Sequence, residues 1–135
     1  MMKAYITAMT AICLAYTLSV SASPVTDSLL AQYAAEGKGE MSAESGKSLW
    51  NEAFASPRSD DQRSCATCHT ADLRAEGEHK RTGKRIEPMA PSVNSKRLTD
   101  RKKIEKWFKR NCKWTLGREC TASEKGSFIL YIESL

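Results

Sequence analysis

Two cysteines and a histidine stand together in Cys65-Ala66-Thr67-Cys68-His69. Cysteines three positions apart with His directly after suit covalent haem attachment. The thiols add to the two vinyl groups of the macrocycle, one short helical turn reaches both, and the His is aimed at the iron as its proximal ligand. Three other chemistries compete for the same residues. A zinc site would join Cys65 and Cys68 to Cys112 and Cys120, but seven residues separate the second pair, where zinc knuckles use about two to four. A thioredoxin-like redox pair wants a strand-to-helix setting, which the sequence does not show. A plain disulfide within the pair is the blandest option. The adjacent His, the helical character of the chain and the signs of export favour haem.

An iron with one protein ligand raises the question of the opposite side. The donors placed after His69 are His79, Met89, Asn94, Asn111 and the lysines. Met89 sits in the rigid stretch Ile86-Glu87-Pro88-Met89-Ala90-Pro91, which could present a thioether or simply pack against the haem edge. Its 20-residue separation from His69 is short for a ligand. His79 lies in a charged stretch, where an exposed His is the expectation. Asn111 continues the face of Ile104, Trp107 and Phe108 at the i+7 position, so its amide is aimed inward with the apolar stripe. On the residues alone, a helix C-cap is the other reading, since Asn tolerates the left-handed conformation.

The elements that must position these groups read as helices. Thr26 is a suitable cap for a helix to about Glu36, with Leu29, Leu30, Tyr33 and Ala34 on one face and Gly37 as its stop. Ser42 suits the start of a second, carrying Leu49, Trp50 and, a turn later, Phe54. From Pro57 to Val93 the chain is polar and broken by Gly77, Gly83, Pro88 and Pro91. So long an irregular stretch is usually functional or wrapped around something. Thr99 opens a further helix with Ile104, Trp107 and Phe108 as its inner face. Thr121 and Glu124 form a capping box for the last, whose buried face is Phe128, Tyr131, Ile132 and Leu135. With no alternating strand pattern and no internal repeat, the class is all-α.

The start of the chain reads as an address. Met1 to Lys3 carry one charge, Ala4 to Val20 none, and Val20-Ser21-Ala22 is a small-residue cleavage point, so residues 1–22 are expected to be a secretory signal peptide. The alternative, a transmembrane anchor, is disfavoured by a short uncharged run with several Ser and Thr. Cys13 leaves with the signal, and residues 23–135 form one domain retaining Cys65, Cys68, Cys112 and Cys120. An even count in an exported chain suggests that all four serve covalently or as ligands. The domain is small, and a large bound cofactor would help its core. Charge is unevenly spread. Ser23 to His79 is net −5, Lys80 to Arg118 is net +11, with 14 basic against 3 acidic residues, and Glu119 to Leu135 is net −2.

At the blocks Cys65 to His69, Arg81-Thr82-Gly83-Lys84, Pro88-Met89-Ala90-Pro91-Ser92, Glu105-Lys106-Trp107-Phe108, Arg110-Asn111-Cys112 and Gly117-Arg118-Glu119-Cys120-Thr121, the sequence resembles the sphaeroides haem protein family. These are small class I c-type cytochromes of the bacterial periplasm. The resemblance covers about Thr26 to Leu135. It implies a class I cytochrome c-like fold, a few helices wrapped round one covalently attached haem c. It implies Cys65 and Cys68 as the attachment residues, and His69 and Asn111 as the axial ligands of the haem iron. The family's Asn leaves on reduction, and the ferrous haem then takes dioxygen or nitric oxide. A disulfide beside the Asn maps onto Cys112 and Cys120, closing a loop worth on the order of 2–3 kcal/mol. That bridge either holds Asn111 in place or is a staple with no influence on the iron.

Two functions from different classes follow. One is an electron carrier whose donor, by the resemblance, is a dihaem c-type cytochrome, or another acidic redox protein steered by the basic block. The other is a binder or reductase of a diatomic ligand. The sequence shows no acid/base dyad, so a dedicated enzyme is the weaker expectation. A periplasmic chain makes nucleic acid an unexpected target, and no stretch after the signal is apolar enough for membrane insertion.

Overall fold

Helix α5 (Ala122–Glu133) lies at the centre of the fold, packed against α2 (Ala43–Asn51) and α1 (Pro24–Glu36). The structure, a computed structural model, describes residues 23–55 and 60–135. The expected signal peptide, residues 1–22, lies outside the described residues. Neighbours in space and class match the all-α expectation, with α3 (Ala66–His69) and α4 (Arg101–Thr115) completing the helices. Two short antiparallel ladders, β1 (Phe54–Ala55) with β2 (Gln62–Arg63) and β3 (Gly77–Glu78) with β4 (Arg85–Ile86), add what the strand search missed. Strands of two residues are too short to show a period in sequence.

Local chemistry explains the helix ends. Ser23, not Thr26, caps α1, its hydroxyl accepting from the Thr26 amide, and Pro24 occupies the first turn where its missing N–H costs nothing. Thr26 is instead buried inside the helix, donating to the Ser23 carbonyl and to Glu133 at the end of α5. Ser42 caps α2 as expected. The cap of α4 is Asp100, one residue beyond the expected Thr99, through its carboxylate on the Lys103 amide. The Thr121 and Glu124 capping box of α5 is formed in both directions. Arg118 holds the Glu124 carboxylate in a forked ion pair, which pulls its pKa below the usual carboxylate range.

The core has two connected parts. Leu29 and Tyr33 of α1, Ile104 of α4 and Ile129 of α5 form one. Ala34, expected on the inner face of α1, is exposed. Trp50, Leu73, Ala90, Cys112, Cys120, Phe128, Tyr131 and Ile132 form the other. Helices α2 and α5 cross closely enough that a Cβ on Gly46 would lie 2.0 Å from the Ser127 carbonyl oxygen, so the crossing requires glycine there. Tyr33 donates to Glu105 at 2.6 Å and Lys125 donates to the same carboxylate at 3.2 Å. This group ties α4 to α1 and α5. Burial and the neighbouring carboxylate raise the Tyr33 phenol far above its ordinary pKa.

Candidate haem site

The Cys65–His69 segment folds into the short helical turn its spacing required: Cys65 precedes α3 and its carbonyl accepts the His69 amide at 3.1 Å. The Thr67 hydroxyl closes the start of the turn by accepting from the Ser64 amide at 2.9 Å. Cys65 and Cys68 are half-buried free thiols, not a disulfide, and Cys65 packs with Ala66 against the cluster of Trp50, Leu73, Cys112 and Phe128. Burial pushes the Cys65 thiol up to about 12.

Three contacts hold the turn. The Trp50 indole N–H donates to the Thr70 carbonyl at 2.9 Å, and the Trp50 ring lies 5.5 Å from the His69 ring, tilted by 49°. Strand β3 runs so near that a Cβ on Gly77 would lie 2.1 Å from the Cys68 carbonyl oxygen and 2.9 Å from the His69 Cα. Glycine at 77 is therefore a condition for β3 to cover the turn. Thr70, directly after His69, has φ +65° and ψ 167°, a conformation costing a β-branched residue roughly 1–3 kcal/mol. Its amide donates to the Ala66 carbonyl and its hydroxyl to the Asp72 carbonyl.

These residues fit a covalent haem. His69 Nδ1 is sealed from solvent without a hydrogen-bond partner among the described residues. Burial first, and the Arg97 charge second, lower its pKa to about 4, leaving the neutral imidazole that binds a metal. Two free thiols and a neutral imidazole beside one apolar cluster are the donor set that a haem c requires. A cleft of about 550 Å³ on the hairpin side of the turn has polar and charged walls, including Thr67, Glu76, Lys80 and Arg85. Cys68 also lines this cleft, and Cys65 faces the apolar cluster.

The other ligand candidates separate by their surroundings. His79 is exposed in the β3–β4 hairpin, its Nδ1 accepting from the Thr82 amide. The Asn94 carboxamide donates to the Pro88 carbonyl and accepts from the Lys96 amide. Met89 is half-buried against the apolar cluster, its amide bound to the Leu73 carbonyl at 2.8 Å. Asn111 lies inside α4, one turn before the helix ends at Leu116, so the C-cap reading is corrected: the helix runs on and Leu116 is the cap. The Asn111 side chain is half-buried, and among the described residues its carboxamide makes no hydrogen bond. Its neighbour Cys112 belongs to the cluster on which Cys65 and Ala66 rest, and is bonded to Cys120 across a Cα–Cα distance of 5.6 Å.

One expected core residue is outside. Trp107 is 47% exposed, not packed with Ile104 and Phe108. The inward stripe of α4 is Ile104, Phe108, Cys112 and Thr115. At about 100° per residue, Trp107 sits roughly 60° to one side of Ile104, beyond the edge of that stripe. Trp114, 37% exposed, shares its flank two turns on. Arg110 lies 5.1 Å from the Trp107 ring centre and Arg63 4.5 Å from that of Trp114. Helical spacing alone places Trp107 on the face of Ile104 and Phe108 and assigns Trp114 to no face, so this paired aromatic and basic surface shows only in the fold.

Comparison with known proteins gives a consistent picture. A family model described as a domain of unknown function (DUF1924) matches residues 36–132. The cytochrome c-type protein SHP of Cereibacter sphaeroides is 39% identical over 104 residues, covering 77% of this chain and 79% of that protein. Cytochrome c'' of Methylophilus methylotrophus is 44% identical over 87 residues, covering 64% of this chain and 60% of that protein. Among solved structures, oxidised SHP, described as an oxygen-binding cytochrome c, superposes with a TM-score of 0.72 at 37% identity over 82% of this chain and 96% of that one. A solution structure of cytochrome c'', described in terms of haem-ligand detachment, gives 0.69 at 36% identity, over 82% of this chain and 93% of that one.

Proposed function

The chain belongs to the DUF1924 family, with SHP and cytochrome c'' as relatives, and is a haem cytochrome carrying covalently bound haem c; from that premise we propose that it carries electrons in the periplasm and that Asn111 is an iron ligand that leaves on reduction. Cys65 and Cys68 would hold the haem through thioethers, and His69 and Asn111 would be the protein ligands of its iron. When bound, the haem supplies an iron that cycles between Fe(III) and Fe(II) and takes a diatomic ligand, dioxygen or nitric oxide, at a vacated axial position.

The observation that carries this reading is the placement of Asn111. Its carboxamide is half-buried on an inward-facing helix, beside a buried disulfide, with no protein partner among the described residues. An amide is a hard, weak donor, tolerable to ferric iron and poor for the softer ferrous state. A Met89 thioether would instead favour the reduced iron and stay bound. The words attached to the relatives, oxygen binding for SHP and haem-ligand detachment for cytochrome c'', agree with a releasable ligand.

The decisive measurement is the optical spectrum of oxidised and reduced protein with and without nitric oxide. A ferrous spectrum altered by the gas is expected; a sharp low-spin spectrum unmoved by it makes the protein a plain electron carrier. Asn111→Ala should open the ferric iron to water, and unchanged ligation would hand the role to Met89 or a lysine.

The oxygen-binding description of SHP also favours a second reading, in which capture or reduction of the diatomic ligand, not electron carriage, is the task. Turnover of the ligand by the reduced protein separates the two. For the electron partner, the Lys80 to Arg118 block suits an acidic redox protein such as a dihaem c-type cytochrome. The exposed Trp107 and Trp114, each beside an Arg, supply the aromatic and Arg anchors that such contacts favour.

A further inference from the structure

Arg97 is a half-buried cation in the turn-rich segment that leads into α4. Its Nε donates to the Pro88 carbonyl and its Nη2 to the Glu87 carbonyl, both at 2.7 Å. Asn94 donates to the same Pro88 oxygen at 3.2 Å. Among the described residues the hydrogen bonds of Arg97 go to neutral carbonyls, and the exposed Glu87 carboxylate supplies a nearby opposite charge without a close ion pair. A guanidinium has five N–H donors. Two are engaged here, and the others keep the planar fork that matches a carboxylate.

The position of this cation is set by the haem site. The loop whose carbonyls it grips continues into Met89 and Ala90, whose amides both donate to the Leu73 carbonyl, at 2.8 and 2.9 Å. Leu73 and Ala90 are fully buried in the apolar cluster, and Cys65, Ala66, Met89 and Leu98 pack against that cluster. The Arg97 charge also lies near enough to act on the His69 ring. Taking a guanidinium even half out of water is costly when only two of its N–H donors are met. A haem carries two carboxylates, and its attachment residue Cys65 packs against the same cluster as Met89 and Leu98, the neighbours of Pro88 and Arg97.

We propose that Arg97 binds a haem propionate, with Nε and Nη2 fixed on the Pro88 and Glu87 carbonyls and the remaining N–H groups donating to the carboxylate. Arg97 is thus a positioning residue for the cofactor, joining the Pro88–Met89 loop to the haem edge. A carboxylate of the haem meets the buried charge. Because Arg97 is bound to the loop and to the haem at once, the haem's tilt and the position of Met89 are coupled. This reading rests on covalent haem and is independent of whether Asn111 leaves the iron.

The test uses the mature holoprotein, native and as Arg97→Gln and Arg97→Lys, with haem content checked first. Resonance Raman spectroscopy reads the propionate bending band, which reports hydrogen bonding to the carboxylate, and hydrogen exchange reads the Met89 and Ala90 amides. The expected result is a clear shift of the band in Arg97→Gln, a smaller one in Arg97→Lys, and a lower midpoint potential in Arg97→Gln from the lost positive charge. An unshifted band in Arg97→Gln, or equal shifts in both variants that track faster exchange at Met89 and Ala90, would reduce Arg97 to a loop staple and overturn the proposal. If Arg97→Gln does not mature, the native reduced protein decides. Cross-relaxation between the Arg97 guanidinium protons and the propionate methylenes is required, and its absence overturns the proposal. Nitric oxide binding reads Asn111 separately, so each proposal can fail without the other.

Discussion

The turn that carries His69 and the helix that carries Asn111 are held in opposite ways. Around His69 the ties are at the backbone and immediate: Trp50 grips the Thr70 carbonyl, β3 lies on the Cys68 and His69 backbone, and Thr67 closes the start of the turn. Asn111 has no comparable tie. Its helix is fixed a turn and a half earlier, where Glu105 meets Tyr33 and Lys125, and one residue later by the Cys112–Cys120 bond. The difference separates a side chain whose main chain is clamped from one whose scaffold is fixed while the side chain itself stays unpartnered, the contrast that the proposed permanent and releasable ligands require.

The contrast can be broken from its rigid side first. Gly77→Ala should be the most damaging, costing about 3 kcal/mol because the new Cβ meets main chain that cannot give way; denaturant unfolding of the holoprotein measures it, and a near-native midpoint would show that β3 is not a clamp. In the haem-free Cys65→Ser/Cys68→Ser form, the depressed His69 pKa has a definite sign. The unfolded state binds the proton more tightly, so stability is full above the unfolded value of 6.5 and falls as pH drops from there toward about 4, by roughly 3 kcal/mol. Loss confined to pH below 4 would mean that His69 is not held neutral.

On the Asn111 side, Cys112→Ser/Cys120→Ser should cost about 2–3 kcal/mol by loop entropy. If the bridge also steadies Asn111, the ferric optical spectrum will show a mixture of ligation states; an unchanged spectrum leaves it a staple. Trp50→Phe keeps most of the ring and loses the bond to Thr70, an expected cost of about 1–2 kcal/mol, with an altered ferric electron paramagnetic resonance signal if the His69 ring turns. Smallest in stability, within about 0.5 kcal/mol, is Trp107→Ala on the exposed flank of α4. Its effect should fall on electron exchange with an acidic redox protein, and more strongly at low than at high salt.

The attachment turn was legible because its chemistry is local: Cys65, Cys68 and His69 must be adjacent in sequence to act together. Capping was legible for the same reason at Ser42 and at Thr121 with Glu124. The inner face of α4 was only partly so. Ile104 and Phe108 point inward, but i+3 spacing leaves Trp107 about 60° from Ile104 on the side away from the stripe, enough to put it in solvent. Arg97 left no signal among 14 basic residues of its block, since its distinction is the pair of carbonyls it meets across a folded loop. Gly77 was read as a breaker, and only the fold reveals the carbonyl beneath it.

Thr70 carries a consequence for the unfolded chain. Glycine would adopt its φ of +65° without strain, yet glycine would enlarge the ensemble of conformations open to the chain next to the iron ligand. A threonine accepts local strain and restricts that ensemble, and its hydroxyl bond to the Asp72 carbonyl is available before any long-range contact forms. The restricted ensemble of a β-branched residue lies at negative φ, so the direction in which the chain leaves His69 is one that the disordered state rarely visits, and it is imposed only when the domain closes.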